Sequence, residues 1–203
     1  MIIGIVGFIG SGKGTVGDIL ETQGFIKDSF ARPLKDAVSI IFGWPRELLE
    51  GDTEVSRQWR EQKDPFWSEK FGHDFTPRMA LQLMGTEAGR DVFHSDIWVI
   101  SLLNRAKGRN VVVTDVRFQN EIRYIQENKG IIIRVKRGPE PEWYNTMKTI
   151  TDFELRKATM AHWNVHQSEW DWVGCNIDFE IDNNGTLQDL RNNVLGLLTT
   201  RGS

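Results

Sequence analysis

The chain has 203 residues and a formal net charge of -3. That length suits one compact domain with an elaborated loop region, and the charge argues against a protein that coats nucleic acid through a broadly basic face. A single cysteine, Cys175, rules out an internal disulfide and reads as a structural thiol, and His73, His94, His162 and His166 show no metal-ligand spacing. No apolar run approaches membrane-spanning length and the first one lacks the flanks of a signal peptide, so a cytoplasmic protein with no membrane partner is expected.

Ile2, Ile3, Ile5 and Val6 form a β-branched run, the pattern of a strand buried on both faces in a parallel sheet. It stops in Gly7-x-x-x-x-Gly12-Lys13, the spacing of a phosphate-binding loop, where glycines let backbone N–H groups approach an anion and the lysine opens a helix. The hydroxyl comes one position late, at Thr15 after Gly14, which resembles nucleoside monophosphate kinases of the adenylate kinase kind more than motors or GTPases. Gly10, Ser11, Gly12, Lys13, Gly14 and Thr15 are therefore the expected phosphate cradle, against the plainer reading of a glycine turn that binds nothing.

Val16, Ile19 and Leu20 give the following helix its apolar stripe, and residues 25–31 read as a second strand. Pro33 suits the first turn of a helix over 34–42 with Leu34, Ala37, Val38 and Ile41 on its buried face. Lys35 stands where it can reach a phosphate, although a solvated lysine explains it as well. Residues 43–76 are the least periodic part, dense in charge and aromatics, and predict short helices; Arg57 and Arg60 fit either an acceptor site or a solvated face. Thr76-Pro77 starts a helix in which Arg78, Gln82 and Gly85 share one stripe; Gly85-Thr86-Glu87 is expected to interrupt it before a further helix over 96–107.

Val111, Val112 and Val113 make another buried strand, closed by Asp115, a carboxylate suited to handling magnesium or substrate. Arg117 and Glu121, four apart, share one helix face; their plainer reading is a surface ion pair worth about 0.3 to 0.5 kcal/mol. A strand over 130–135, a lid-like connection, a strand over 177–181 and a helix capped by Thr186 complete a five-stranded parallel α/β sheet, and Arg201 to Ser203 read as a frayed tail or a cloning remnant. Five tryptophans in polar stretches, Trp59, Trp67, Trp143, Trp163 and Trp170, are expected to pin irregular segments rather than stack bases.

Taken in order, Gly7 to Thr15, Phe30 to Ala37, Arg78-x-x-x-Gln82-x-x-Gly85, Asp96-Ile-Trp98, Asp115-x-Arg117-x-x-x-Glu121, His166-x-Ser168-Glu169 and Asn184 to Leu187 resemble the deoxynucleoside monophosphate kinases of tailed bacteriophages. The resemblance covers nearly the whole chain and thins over 43–76 and 139–165. It implies a three-layer P-loop kinase fold in a single domain, 1–203, with a helical acceptor-binding insertion at 43–109 and a lid-like connection at 138–172. It implies ATP as donor, Mg2+, and a deoxynucleoside monophosphate as acceptor, in host cytoplasm if phage-encoded, with small-molecule nucleotides as partners, no stable nucleic-acid binding, and it allows a homodimer.

Residue by residue, Gly10 to Thr15 would hold the ATP phosphates, with Lys13 bridging donor and transferring phosphate. Lys35, Arg78, Gly85, Trp98, Asp115, Arg117 and Glu121 match acceptor-binding positions; Lys13, Arg78, Asp115 and Arg117 form the catalytic set; Thr15 and Asp115 serve the metal, in part through water. Arg137 and the loop 183–187 are suggested for lid and adenine contacts. The competing readings are another small-molecule kinase, such as a dephospho-coenzyme A kinase, and a nucleic-acid-stimulated ATPase. A GTPase fails for want of an Asp-x-x-Gly after Asp115 and of the aspartate that would read guanine near Asn128.

Overall fold

The computed structural model describes residues 1–201; Gly202 and Ser203, the end of the expected tail, lie outside the described residues. Strand β1 (Ile2–Val6) is buried at every position and pairs in parallel with β3 (Val111–Val113) on one side and β4 (Ile131–Lys136) on the other. With β2 (Ile26–Asp28) and β5 (Phe179–Asp182) the sheet order is β2-β3-β1-β4-β5, parallel throughout, as the pattern of apolar runs requires. Val16, Ile19 and Leu20 of α1 (Lys13–Glu21) and Leu190 and Val194 of α11 (Leu187–Arg201) bury one sheet face with Ile3, Ile5, Val112 and Ile133. Helix α7 (Gln119–Glu127) packs on β1 and β4 through buried Ile122 and Ile125, which completes a three-layer P-loop kinase fold.

The chain divides into two compact units, one formed by residues 1–29 and from 103 onward, the other by Phe30–Leu102. The second unit starts before the expected insertion at 43–109 and takes in α2 (Arg32–Phe42). Within the first unit, Arg105 ties together the two places where the chain leaves and returns: Nε donates to Asp28 Oδ2 at 3.1 Å, and Nη2 donates to Asp28 Oδ1 at 3.2 Å and to the Ser29 carbonyl at 3.1 Å. The second unit holds α2, a 3-10 turn at Arg46–Leu49, α3 (Glu54–Glu61), α4 (Pro65–Phe71), α5 (Pro77–Gln82) and the first part of α6 (Ile97–Ala106). Its core is Val38, Trp44, Leu49, Phe75 and Ala80, with Trp59 and Trp67 packed against it.

Two local expectations in that unit fail for packing reasons. Ile41 is 54% exposed because the inward stripe of α2 runs Leu34, Val38, Phe42, at i, i+4 and i+8, and leaves Ile41 to one side. The helix begun at Pro77 does not stop at Gly85-Thr86-Glu87 but continues as a π-helix over Leu83–Phe93. The two glycines that look like breakers are seats for other side chains: a Cβ on Gly85 would lie 2.8 Å from Leu34, and one on Gly89 would lie 2.7 Å from Trp98. Close packing of this kind overrides the low helix propensity of glycine.

The connection over 138–172 carries α8 (Tyr144–Thr149), α9 (Phe153–Trp163) and α10 (Gln167–Trp170). It is anchored at two arginines. Arg156 is 3% exposed and donates through Nη2 to the carbonyls of Trp170, Asp171 and Val173 at 2.9, 3.1 and 2.8 Å, and through Nη1 to that of Ile150 at 3.2 Å. Arg134 of β4 lies over the rings of Tyr144 and Trp172 and pairs with Glu140 and Glu180. Trp143 and Trp170 are buried here as pins, whereas Trp163 is 40% exposed. No helix among the described residues is long and apolar enough to cross a membrane.

Truncating Arg156 leaves buried carbonyls without donors, each costing about 1 to 3 kcal/mol, so Arg156→Ala is expected to lower the urea unfolding free energy by at least about 3 kcal/mol. Burial pushes the Cys175 thiol up to about 11, with Asp171 adding to the effect and Arg156 opposing it. The folded state thus favours the protonated thiol; that contribution to stability is complete below the ordinary value of 9.0 and is lost as pH rises through about 11. Urea titrations across that window should show a decline in wild type that Cys175→Ser lacks, and the native thiol should react far more slowly with a thiol reagent than the denatured one.

Candidate active site

The loop between β1 and α1 is shaped by backbone rather than by side chains. Gly12, the residue before α1, has φ 100°, and a Cβ there would fall 2.3 Å from the Asn183 side-chain nitrogen. That nitrogen donates to the Ser11 carbonyl at 2.8 Å, so Asn183, which follows β5 directly, buttresses the loop from below. The loop 183–187, expected to supply lid and adenine contacts, supplies this buttress through Asn183; the signal available in the sequence was an asparagine directly following a strand. On the loop's other flank the Phe8 ring lies 5.6, 5.9 and 5.1 Å from the rings of Trp143, Tyr144 and Trp172.

Three features of the loop suit an anion. Helix α1 has no side-chain cap and no acidic residue in its first turn, so its leading N–H groups are left for a ligand. Ser11 Oγ is buried without a hydrogen-bond partner. Lys13 Nζ is satisfied by the loop itself, donating to the carbonyls of Gly7 at 2.6 Å and Phe8 at 2.9 Å. Burial lowers the Lys13 pKa, the Arg117 charge lowers it further and Glu169 opposes both, which brings these three groups into one electrostatic neighbourhood.

Arg117 arrives there from β3. Because β3 and β1 are parallel neighbours, the segment after Val113 leaves the sheet at the same edge as the phosphate loop. Asp115 and Thr15 are half-buried. The surface ion pair that is the plainer reading of Arg117 and Glu121 does not form. Glu121 is 4% exposed, and its Oε2 accepts from the backbone N–H groups of Arg117 at 2.7 Å and Phe118 at 3.0 Å, because the unsatisfied donors at the start of α7 need an acceptor. The Arg117 guanidinium turns instead to α10, where Nη1 donates to Ser168 Oγ at 3.2 Å and Glu169 Oε1 at 3.4 Å.

The remaining expected residues belong to the second unit. Lys35 Nζ pairs with Glu50 at 2.5 Å, and although burial acts to raise the Glu50 pKa, Lys35 and Arg46 hold it below the ordinary carboxylate range. Arg78 is well exposed and pairs with Glu61 at 3.1 Å. Its charge, second to burial, depresses the pKa of half-buried Arg60. Gly85 and Trp98 are engaged with each other, the indole Nε1 donating to the Gly85 carbonyl at 2.8 Å. The role the structure gives these two is packing of the π-helix on α6.

No family model matches the chain. A protein of Acanthamoeba polyphaga mimivirus assigned as a deoxynucleotide monophosphate kinase is 34% identical over 152 residues, which cover 68% of this chain and 74% of that protein. The chain belongs to the deoxynucleotide monophosphate kinase family. The deoxynucleoside-5'-monophosphate kinase of Escherichia phage T5 is 27% identical over 185 residues, 64% of this chain and 74% of its own length. A dephospho-CoA kinase of Corynebacterium glutamicum is 24% identical over 213 residues, 97% of each chain. Among solved structures, shikimate kinase from Aquifex aeolicus superposes with a TM-score of 0.46 at 12% identity, covering 100% of this chain and 98% of its own.

For a member of this family the loop fits a nucleotide's phosphates: an uncapped helix start, an orphaned buried hydroxyl at Ser11 and a lysine satisfied by carbonyls it can release. Among the described residues no group of three or more His, Cys, Asp or Glu side chains could hold a metal ion. Magnesium needs none, since it is commonly held by one or two carboxylates together with substrate phosphates and water. Removing the Asn183 amide should loosen the loop by about one net hydrogen bond, roughly 1 kcal/mol. Asn183→Ala is accordingly expected to raise the KM for ATP about fivefold, with unchanged circular dichroism; an unaltered KM would show that the buttress is dispensable.

Proposed function

We propose that the chain transfers the γ-phosphate of ATP to a deoxynucleoside monophosphate, giving the deoxynucleoside diphosphate and ADP. The observation that carries this reading is the convergence of Lys13 and Arg117, from the ends of adjacent parallel strands, beside the uncapped start of α1. Phosphoryl transfer needs little covalent help from a protein; it needs two phosphates in line and their charge neutralised. Lys13 exchanges the carbonyls of Gly7 and Phe8 for donor phosphate oxygens, and the N–H groups from Gly10 to Thr15 cradle the rest. Arg117 binds the acceptor phosphate. An acceptor oxygen bonds to the γ-phosphorus while the bond to the β–γ bridging oxygen breaks and ADP leaves. Thr15 and Asp115, the latter through water, are the residues that would hold magnesium accompanying ATP, and the ion would there neutralise developing charge. Hydrogen bonds to charged groups are worth about 1.5 to 3 kcal/mol each, enough for Arg117 to favour a monophosphate over a nucleoside.

A coupled ADP-release assay with ATP, magnesium and each common dNMP and NMP in turn tests this reading, with dephospho-coenzyme A and single-stranded polynucleotide as further arms. A dNMP should accelerate ADP formation; acceleration only by dephospho-coenzyme A or only by polynucleotide would overturn the assignment. Arg117→Ala should lower kcat/KM for the dNMP by roughly 10- to 100-fold, the loss of one charged hydrogen-bonding partner, and unchanged kinetics would remove Arg117 from the site.

A further inference from the structure

The run His166-Gln167-Ser168-Glu169 has no part in the transfer as described so far, yet both of its inward polar groups end on one atom of Arg117. His166 precedes α10 and its Nδ1 accepts from the Ser168 backbone N–H at 3.2 Å, with Ser168 Oγ 2.9 Å from the same nitrogen. That bond orients the serine hydroxyl, which accepts from Arg117 Nη1 beside Glu169 Oε1. The short helix carrying these groups is itself immobilised. Arg156 holds the carbonyls of Trp170 and Asp171, Trp170 is 2% exposed, and Asp171 Oδ2 accepts from the Gln119 N–H at 2.9 Å, tying α10 to the start of α7.

Arg117 is thus gripped at its backbone by Glu121 and at one guanidinium nitrogen by α10. Among the described residues no hydrogen bond engages Nη2 or Nε, and the side chain is 46% exposed. A guanidinium offers five donors in a rigid fork, so fixing Nη1 determines where the remaining edge points. We propose that Ser168 and Glu169 are positioning residues that hold Arg117 by Nη1 so that its Nε and Nη2 edge is presented to the acceptor phosphate. This rests on the kinase reading above. An arginine left free must be ordered at the moment of binding, whereas one already held has met that entropic cost in folding. An exposed pair at 3.4 Å contributes little to stability, so the contact is better explained by orientation than by holding the fold together. Glu169 also opposes the effect of Arg117 on Lys13, allowing the two cations to share a neighbourhood before phosphates arrive.

The test is a double-mutant cycle with ATP, magnesium and the preferred dNMP. Ser168→Ala combined with Glu169→Gln should lower kcat/KM for the dNMP about tenfold, the scale of one freed arginine side chain. The KM for ATP should stay within about twofold and the melting temperature within a few degrees. In an Arg117→Ala background the same pair should cost nothing further, and Ser168→Thr, which keeps the hydroxyl, should recover most of the activity that Ser168→Ala loses. An equal loss with and without Arg117, or a loss that tracks the melting temperature, would overturn the positioning role. So would an active wild type indifferent to the paired substitution, with the kinase reading left standing; a wild type that phosphorylates no dNMP refutes the kinase reading itself and the role of Arg117 with it.

Discussion

The burial of β1 between two parallel neighbours is the constraint on which the first unit depends. Ile3 lies level with Val112 on one side and Ile131 on the other, so the middle of the strand is paired along both edges and both faces are free to bury aliphatic side chains. A strand buried in this way must deliver its chain to the sheet edge all at once, and the turn at Gly7 to Gly12 is that delivery. The same geometry brings the end of β3, with Asp115 and Arg117, to the same edge.

What surrounds that edge is anchored at several points. Phe8, inside the phosphate loop, packs among Trp143, Tyr144 and Trp172, and Arg134 lies against two of those rings. Arg156 gathers the carbonyls that end α10 and follow it. A buried guanidinium with several carbonyl partners is costly to disturb, and these bonds fix the segment that carries Ser168 and Glu169. The charges follow the same logic. Lys13 and Arg117 repel one another, and Glu169 stands near enough to both to offset part of that repulsion until substrate phosphates can do so.

Regular elements were legible because their period is local. The apolar runs located five parallel strands along the chain, though not their order in the sheet, and Thr76-Pro77 marked a helix start that the structure keeps, with Thr76 accepting from the Met79 N–H. The phosphate loop was legible because its glycines and lysine are spaced by a mechanism that needs no distant partner. Ile41, the π-helix and Glu121 were not. In each case two readings agree with the local pattern. For the first two, packing against other elements decides, as where Leu34 and Trp98 settle against glycines that would otherwise end a helix; for Glu121, the turn before α7 claims a carboxylate that could equally have reached the arginine side chain.

By itself the amino-acid order determined a parallel α/β sheet, a phosphate loop after its first strand and a carboxylate and an arginine after a later one, because period, glycine placement and charge at a strand end are properties of short segments. Only tertiary structure decided what each polar side chain is for. Asn183 under the loop, Glu121 on its own helix start and Ser168 with Glu169 on Arg117 are meetings between residues far apart in the chain or between alternatives of similar local energy. Which of them forms is set by packing, since a buried donor or acceptor takes the partner that the fold puts within reach.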